Sequence, residues 1–349
     1  MAEHRIVVPG VVGSTPITHP TFFLLPSESL FFASGTEMAY TLKKQIGRSM
    51  HTYLGIDIGG SGFKFGWGNL QSGLQHFSSL PLKEKSLAGF YAVAEAVLRE
   101  TDAKFGLHNL SGIGIGTPGT LDSTTGLITG VNPNLPFWVG RSPLELLPED
   151  NPIPVLYDND ANLMALAEAN SNSLKTVLGI TVGSGIGSGI VVNGKVYHGA
   201  HGFAGELGHV CMVEDGLLCN CGRNGCLEAY CSVDGIRNRL VSQSPRFSDI
   251  TLSQMLSLKT SDSLVRDYIT EGMQMLAKSV AGAITCFDPE AVIFGGGAMD
   301  LGLYSIAELA VEIMKRLPLA NRDRTAINAA VHGNKAGVIG AIMQFYGEN

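Results

Sequence analysis

One glycine-rich passage is written twice in this chain. "LGIDIGGSGFKFGWGN" runs from Leu54 to Asn69, and "LGITVGSGIGSGIVVNGK" runs from Leu178 to Lys195. Each opens Leu-Gly-Ile, then places a polar residue, Asp57 or Thr181, and then Ile or Val followed by Gly. Each then crosses a run of glycines into a second apolar stretch. An apolar run, a glycine break and a second apolar run predict strand, turn and strand. A duplication about one domain length apart predicts two similar α/β lobes with a cleft between them.

The surrounding pattern agrees. Strands are expected at Tyr53–Ile58, Phe63–Trp67, Leu110–Gly119 and Ile153–Asp160, and again at Val177–Val182, Ser188–Val192 and Ala291–Met299. Helical spacing of Leu87, Phe90, Val93, Val97 and Leu98 predicts a helix over 84–101. Further helices are expected over 161–169, 264–287, 301–317 and 335–346, the second of these ended by Asp288-Pro289. The lobe boundary is expected near residues 170–177. This divides the chain into an extension over 1–49, an N-terminal lobe over 50–172 and a C-terminal lobe over 173–349.

The chain has 349 residues, 45% of them hydrophobic and 16% charged, so it can bury a core of more than one domain. A net charge of −7 argues against a general nucleic-acid binder. No run of about 18 apolar residues marks a membrane span. Four of the six cysteines lie between Cys211 and Cys226, which reads as metal binding in a reducing compartment, the cytoplasm, and not as a disulfide framework. "THPTFFLLPSESLFFASG" is apolar but broken by Pro20 and Pro26, with no basic start before it, so it is a poor signal peptide. Two readings of residues 1–49 stand: a targeting segment, or an over-long start with translation beginning at Met38 or Met50. The abrupt onset of globular pattern at Tyr53 favours the second.

A glycine turn after a strand brings backbone N–H groups close to phosphates. The alternative is an ordinary hairpin turn. Neither passage is a P-loop, and each continues as a strand where a dinucleotide fingerprint needs a helix. Asp57 and Thr181 fall at strand ends, aimed where phosphates and a metal ion are held. "FGGGAM" adds a third glycine turn, a floor for a nucleotide base. "YDNDAN" places Asp158, Asn159 and Asp160 where a strand meets a helix, a ligand-binding position in open sheets. Asp160 there can take a proton from an attacking hydroxyl, or Asp158 or Asp160 can simply cap the helix. "GVNPNLPFW" offers amides that read sugar hydroxyls, or a plain Asn-Pro turn. "GELGHVCMVEDGLLCNCGRNGCLEAY" holds His209, Cys211, Cys219, Cys221 and Cys226, five potential soft ligands with turn glycines at Gly222 and Gly225. Glu206 and His209 share a face if their segment is helical.

From Tyr53 to Tyr346 these motifs resemble the ROK family, within the actin/Hsp70/sugar-kinase superfamily. The resemblance implies an α/β, two-lobed actin-like ATPase and sugar-kinase fold, with duplicated ribonuclease H-like lobes and ATP in a central cleft. It implies a nucleotide set of Asp57, Gly59, Gly60, Lys64, Thr181, Gly183, Gly295 and Gly296, with Asp57 holding Mg²⁺ through water. It implies Asp160 as the base. It implies sugar contacts from Gly119, Asn132 (in preference to Asn134), Asn159, Asp160, Glu206, His209 and Glu228. It implies a structural Zn²⁺ on His209, Cys219, Cys221 and Cys226, with Cys211 the rival ligand. Cys₃His leaves no open position on zinc.

The reading favoured is an ATP-dependent hexose kinase, a glucokinase forming the 6-phosphate, dimeric and binding neither nucleic acid nor membrane. Kinases for N-acetylmannosamine, N-acetylglucosamine, fructose or allose share these contacts, and polyphosphate is the alternative donor. The family also contains sugar-sensing repressors, but the residues before Tyr53 are proline-broken and show no basic recognition helix.

Overall fold

The computed structural model describes residues 51–346 except 70, 71, 131 and 133. The readings of residues 1–49 lie outside the described residues. Strands β1 (Thr52–Gly59) and β2 (Gly62–Asn69) form the first hairpin, and β3 (Gly73–Leu74) and β4 (Ser78–Pro81) both pair with β2. Helix α1 (Leu87–Lys104) starts at Ser86, whose hydroxyl accepts the Gly89 N–H, and buries Phe90, Ala94, Val97 and Thr101 along one face. Strand β5 (Leu110–Thr117) follows, then the small hairpin β6 (Thr120–Leu121) and β7 (Ile128–Thr129), then β8 (Val155–Asn159) and helix α2 (Asp160–Ser171).

The second half holds β9 (Val177–Val182), β10 (Ile186–Val192) and β11 (Lys195–Val196). Helices α3 (Glu228–Cys231), α4 (Val233–Gln243), α5 (Leu252–Leu258) and α6 (Ser263–Phe287) come next. Then come β12 (Ala291–Gly295), α7 (Gly297–Asp300), α8 (Ile306–Arg316), β13 (Ala326–Ala329) and α9 (Ala336–Met343).

The duplication is visible in the sheets. The first has the order β3-β2-β1-β5-β8 and the second β11-β10-β9-β12-β13. In both, a hairpin pairs antiparallel and its first strand pairs parallel with the next, which pairs parallel with the last. Such parallel strands are covered on both faces, which explains their near-continuous apolar runs. Ile56, Ile58, Phe63, Phe65, Phe90 and Trp138 anchor one core. Ile180, Val182, Leu276, Val280, Val292 and Phe294 anchor the other.

Two helices cross between the halves. Helix α2 packs on β9 and β10, and α9 packs on β1 and β5. A side chain at Gly340 would strike the Leu163 backbone, so α9 and α2 lie backbone to backbone. The boundary expected near 170–177 therefore separates the sheets in chain order but not in packing. Every residue of α2 from Ala161 to Ala169 is buried, as befits a helix covered on all sides.

Element ends differ in detail from the sequence reading. The helix expected over 84–101 starts at Leu87, after its serine cap. The strand expected over 291–299 stops at Gly295, because Gly296 (φ 95°) turns tightly past the Val182 backbone into α7. The helix expected from 301 begins at Ile306, capped by Ser305. Among the described residues, no helix is long and apolar enough to cross a membrane.

Candidate active site

A cavity of about 810 Å³ opens between the two sheets, in the usual range for small-molecule sites. The hairpin ends supply opposite walls. Asp57 lies near the end of β1 and pairs in register with Lys64, whose Nζ lies 3.2 Å from Oδ2. At the matching place in the second sheet Thr181 pairs with Gly187. A side chain at Gly187 would sit 2.6 Å from Thr181 Oγ1. The two copies thus present an ion pair on one wall and a neutral hydroxyl on the other. Burial raises the Asp57 pKa, and Lys64 opposes that shift. Gly337, in the first turn of α9, leaves no room beside this carboxylate: a methyl there would lie 2.5 Å from Asp57 Cγ.

Asn159 and Asp160 stand at the start of α2. The cap is Asn159: its Oδ1 accepts the N–H groups of Ala161 and Asn162, and its Nδ2 donates to Gly119 O at 3.1 Å. Asp160 faces the cavity and is only partly exposed. Burial first, and the negative charge of Asp57 second, push its pKa up to about 7. Asp158 does not cap the helix, as one reading had it: it is buried and holds the turn from behind.

The cysteine motif folds as a tight loop. His209, Cys219, Cys221 and Cys226 bring their ligand atoms within 4.8 Å of one another. Cys221 Sγ lies 3.6 Å from Cys226 Sγ, and Cys219 Sγ lies 3.6 Å from His209 Nδ1. A tetrahedral zinc would set neighbouring sulfurs about 3.8 Å apart, so the four residues fit that ion. The rival Cys211 is exposed, and its sulfur faces Val213 O at 3.6 Å, outside the group. No disulfide joins these cysteines. His209 Nε2 points the other way, to within 4.0 Å of Glu206 Oε2. Residues 207–209 form a single 3₁₀ turn, so the face shared by Glu206 and His209 arises without an α-helix. Glu206 Oε1 accepts from Thr120 Oγ1 at 2.7 Å. Glu228 opens α3, and its Oε2 accepts the Ile186 N–H at 2.9 Å.

Asp57, Lys64, Gly119, Asn159, Asp160, Thr181, Gly183, Glu206, His209, Glu228 and Gly296 all line the cavity, as does the ligand Cys221. Gly59, Gly60 and Gly295 are not on its wall, although Gly60 packs against Asn134. One choice is corrected. Asn132 is buried, with its carbonyl groups accepting the Leu135 N–H, whereas Asn134 lines the cavity. The sequence reading passed over Thr120, Phe203, Arg223, Asp300, Asn334 and Gly337, which also line it. Thr120, Phe203, Arg223 and Asp300 lay beside motifs already singled out, whereas Asn334 and Gly337 did not.

Comparison with known proteins agrees with this architecture. Residues 53–347 match the ROK family. A glucokinase from Halalkalibacterium halodurans is 29% identical over 311 residues, spanning 82% of this chain and 93% of its own. An N-acetyl-D-glucosamine kinase from Aliivibrio salmonicida is 32% identical over 308 residues, spanning 83% of this chain and 98% of its own. The crystal structure of a ROK family glucokinase from Streptomyces griseus, in complex with glucose and AMPPNP, aligns with a TM-score of 0.70 at 25% identity. That alignment spans 84% of this chain and 98% of the other. The chain therefore belongs to the ROK family and has its α/β, two-lobed actin-like ATPase and sugar-kinase fold.

Proposed function

We propose that this ROK sugar kinase transfers the γ-phosphoryl group of ATP to the 6-hydroxyl of a hexose, with glucose the favoured acceptor. The observation that carries the reading is Asp160: a carboxylate on the wall of the inter-sheet cavity with its pKa pushed up to about 7. A base tuned near neutrality is half-ionised at working pH and can both hold and take a hydroxyl proton. The Streptomyces griseus relative, solved with glucose and AMPPNP, supports the pairing of a sugar with a nucleoside triphosphate.

In this reading the acceptor lies against Asn159, Glu206, His209, Glu228, Gly119 and, in place of Asn132, Asn134. Asp160 takes the proton from the attacking oxygen as that oxygen bonds to the γ-phosphorus, and the bond to the bridging oxygen breaks to release ADP. The transition state is loose, so most of the rate comes from positioning and charge neutralisation. Lys64, Thr181, Gly183 and Gly296 flank the phosphates and adenosine, with Gly59, Gly60 and Gly295 shaping the turns behind. Mg²⁺, held by Asp57, would neutralise phosphate charge. Zn²⁺ on His209, Cys219, Cys221 and Cys226 would be structural, bracing Glu206 and Glu228.

A second acceptor, N-acetylglucosamine, is favoured by the Aliivibrio salmonicida relative at 32% identity. A coupled ADP-release assay across hexoses and N-acetylhexosamines separates the two, with polyphosphate replacing ATP as a donor control. Glucose should give the highest kcat/KM. A higher value for N-acetylglucosamine selects the second acceptor, and no sugar-dependent ADP with any acceptor contradicts the kinase reading.

A further inference from the structure

Asp158 is a buried carboxylate that the reaction does not use, at 4% exposure. It sits at the end of β8, one residue before Asn159. Its Oδ1 accepts the Asn159 N–H at 2.7 Å and the Asn162 Nδ2 at 2.9 Å. Its Oδ2 lies 2.7 Å from His198 Nε2. The first two bonds hold the turn that presents Asn159 and Asp160. The third crosses to the other sheet, because His198 follows β11.

From His198 the chain runs as one loop to Glu206. Ala204 N–H closes it onto His198 O at 3.1 Å. Gly202 packs directly on the Leu121 carbonyl, and Ser188 Oγ donates to Gly205 O. The loop ends where Glu206 meets Thr120. A small recess lined by Asp158 and His198 lies behind Thr120, Asn159 and Glu206, all three of which also line the main cavity. The hydrogen bond to Asp158 raises the His198 pKa, which favours the charged imidazolium as its partner.

We propose that Asp158 and His198 are positioning residues, fixing the spacing between the Asn159–Asp160 turn and the Glu206 loop and so the fit of the acceptor. This rests on the proposed function above. A hydrogen bond between two charged groups that sets the geometry of a site acts on binding of the group placed there, and less on the nucleotide across the cavity.

The test compares wild type, His198→Ala, His198→Gln and Asp158→Asn by steady-state kinetics with the best acceptor, and by calorimetry of acceptor binding without nucleotide. His198 is half-exposed, so its replacement leaves the cores untouched. His198→Ala should raise the acceptor KM and Kd by about tenfold, as loss of one charge-assisted hydrogen bond implies. The KM for ATP should stay within about twofold and kcat within about threefold. Asp158→Asn should move the same way. His198→Gln, whose amide can donate to the same oxygen, should recover most of the affinity. An active wild type whose acceptor KM is unmoved by His198→Ala overturns the inference. So does a fall in kcat with a rise in both KM values that merely tracks lost thermal stability. A wild type that phosphorylates no sugar overturns the proposed function, and this inference with it.

Discussion

Asp160 and Asp57 are two acids sharing one cavity, and their environments push them into different jobs. Burial raises the pKa of both, but at Asp57 the Lys64 ammonium at 3.2 Å opposes the shift, whereas at Asp160 the Asp57 charge adds to it. A raised pKa means that the base is lost as pH falls through about 7. With substrates below saturation kcat/KM should therefore drop about tenfold per unit below that value. A profile flat from pH 8 to pH 5.5 would rule out Asp160 as the group that titrates. Gly337 gives a second residue-scale prediction. Gly337→Ala forces a methyl into Asp57 Cγ, displaces the carboxylate and should cost about 100-fold in kcat/KM. A near-normal rate would show that Asp57 need not sit where it does. The places of Asp57, Thr181, Asn159 and Asp160 on the cavity wall were legible because each lies near a strand end, at a glycine or helix junction. Asn132 was chosen over Asn134, which lines the cavity, because a loop has no periodicity to say which of two amides turns inward. Gly337 left no sign, since its role exists only through a contact with a residue 280 positions earlier.

At the scale of elements, the strand–turn–strand units and the long helix Ser263–Phe287 were readable from alternation, apolar runs and the Asp288-Pro289 stop. Helices α4 and α5 were missed: between Val233 and Leu258 the apolar residues are sparse, and the helices hold by caps at Ser232 and Thr251 and by packing. The metal loop shows spacing and geometry agreeing, since Cys219-x-Cys221 and Cys226 bracket glycines that let the loop close on His209. Cys221→Ser should release about one zinc per chain and lower Tm, read by metal analysis and a melting curve. Wild-type protein that is folded, active and metal-free would remove zinc from the account. The same variant should weaken acceptor binding, because the loop carries Glu206 and leads into Glu228.

At the scale of the molecule, the repeated glycine passage predicted two matching sheets, and their identical strand order and pairing sense bear this out. What it did not predict is the exchange of α2 and α9. Sequence order carries no mark of that crossing, which is set by which helix face meets which sheet. The exchange matters for function. Helix α2 begins at Asp160, the proposed base, on the edge of the first sheet, yet packs on the second, while α9 starts at the Asp57 carboxylate and packs on the first. Motion of either sheet would therefore be felt at both carboxylates. The most direct test of the account is glucose-dependent ADP release by wild type and Asp160→Asn at pH 7.5, with glucose binding measured in parallel. The account predicts glucose 6-phosphate from wild type, and a loss of about 10²–10⁴-fold in kcat with glucose binding retained in Asp160→Asn. Turnover by Asp160→Asn within a few-fold of wild type would contradict it.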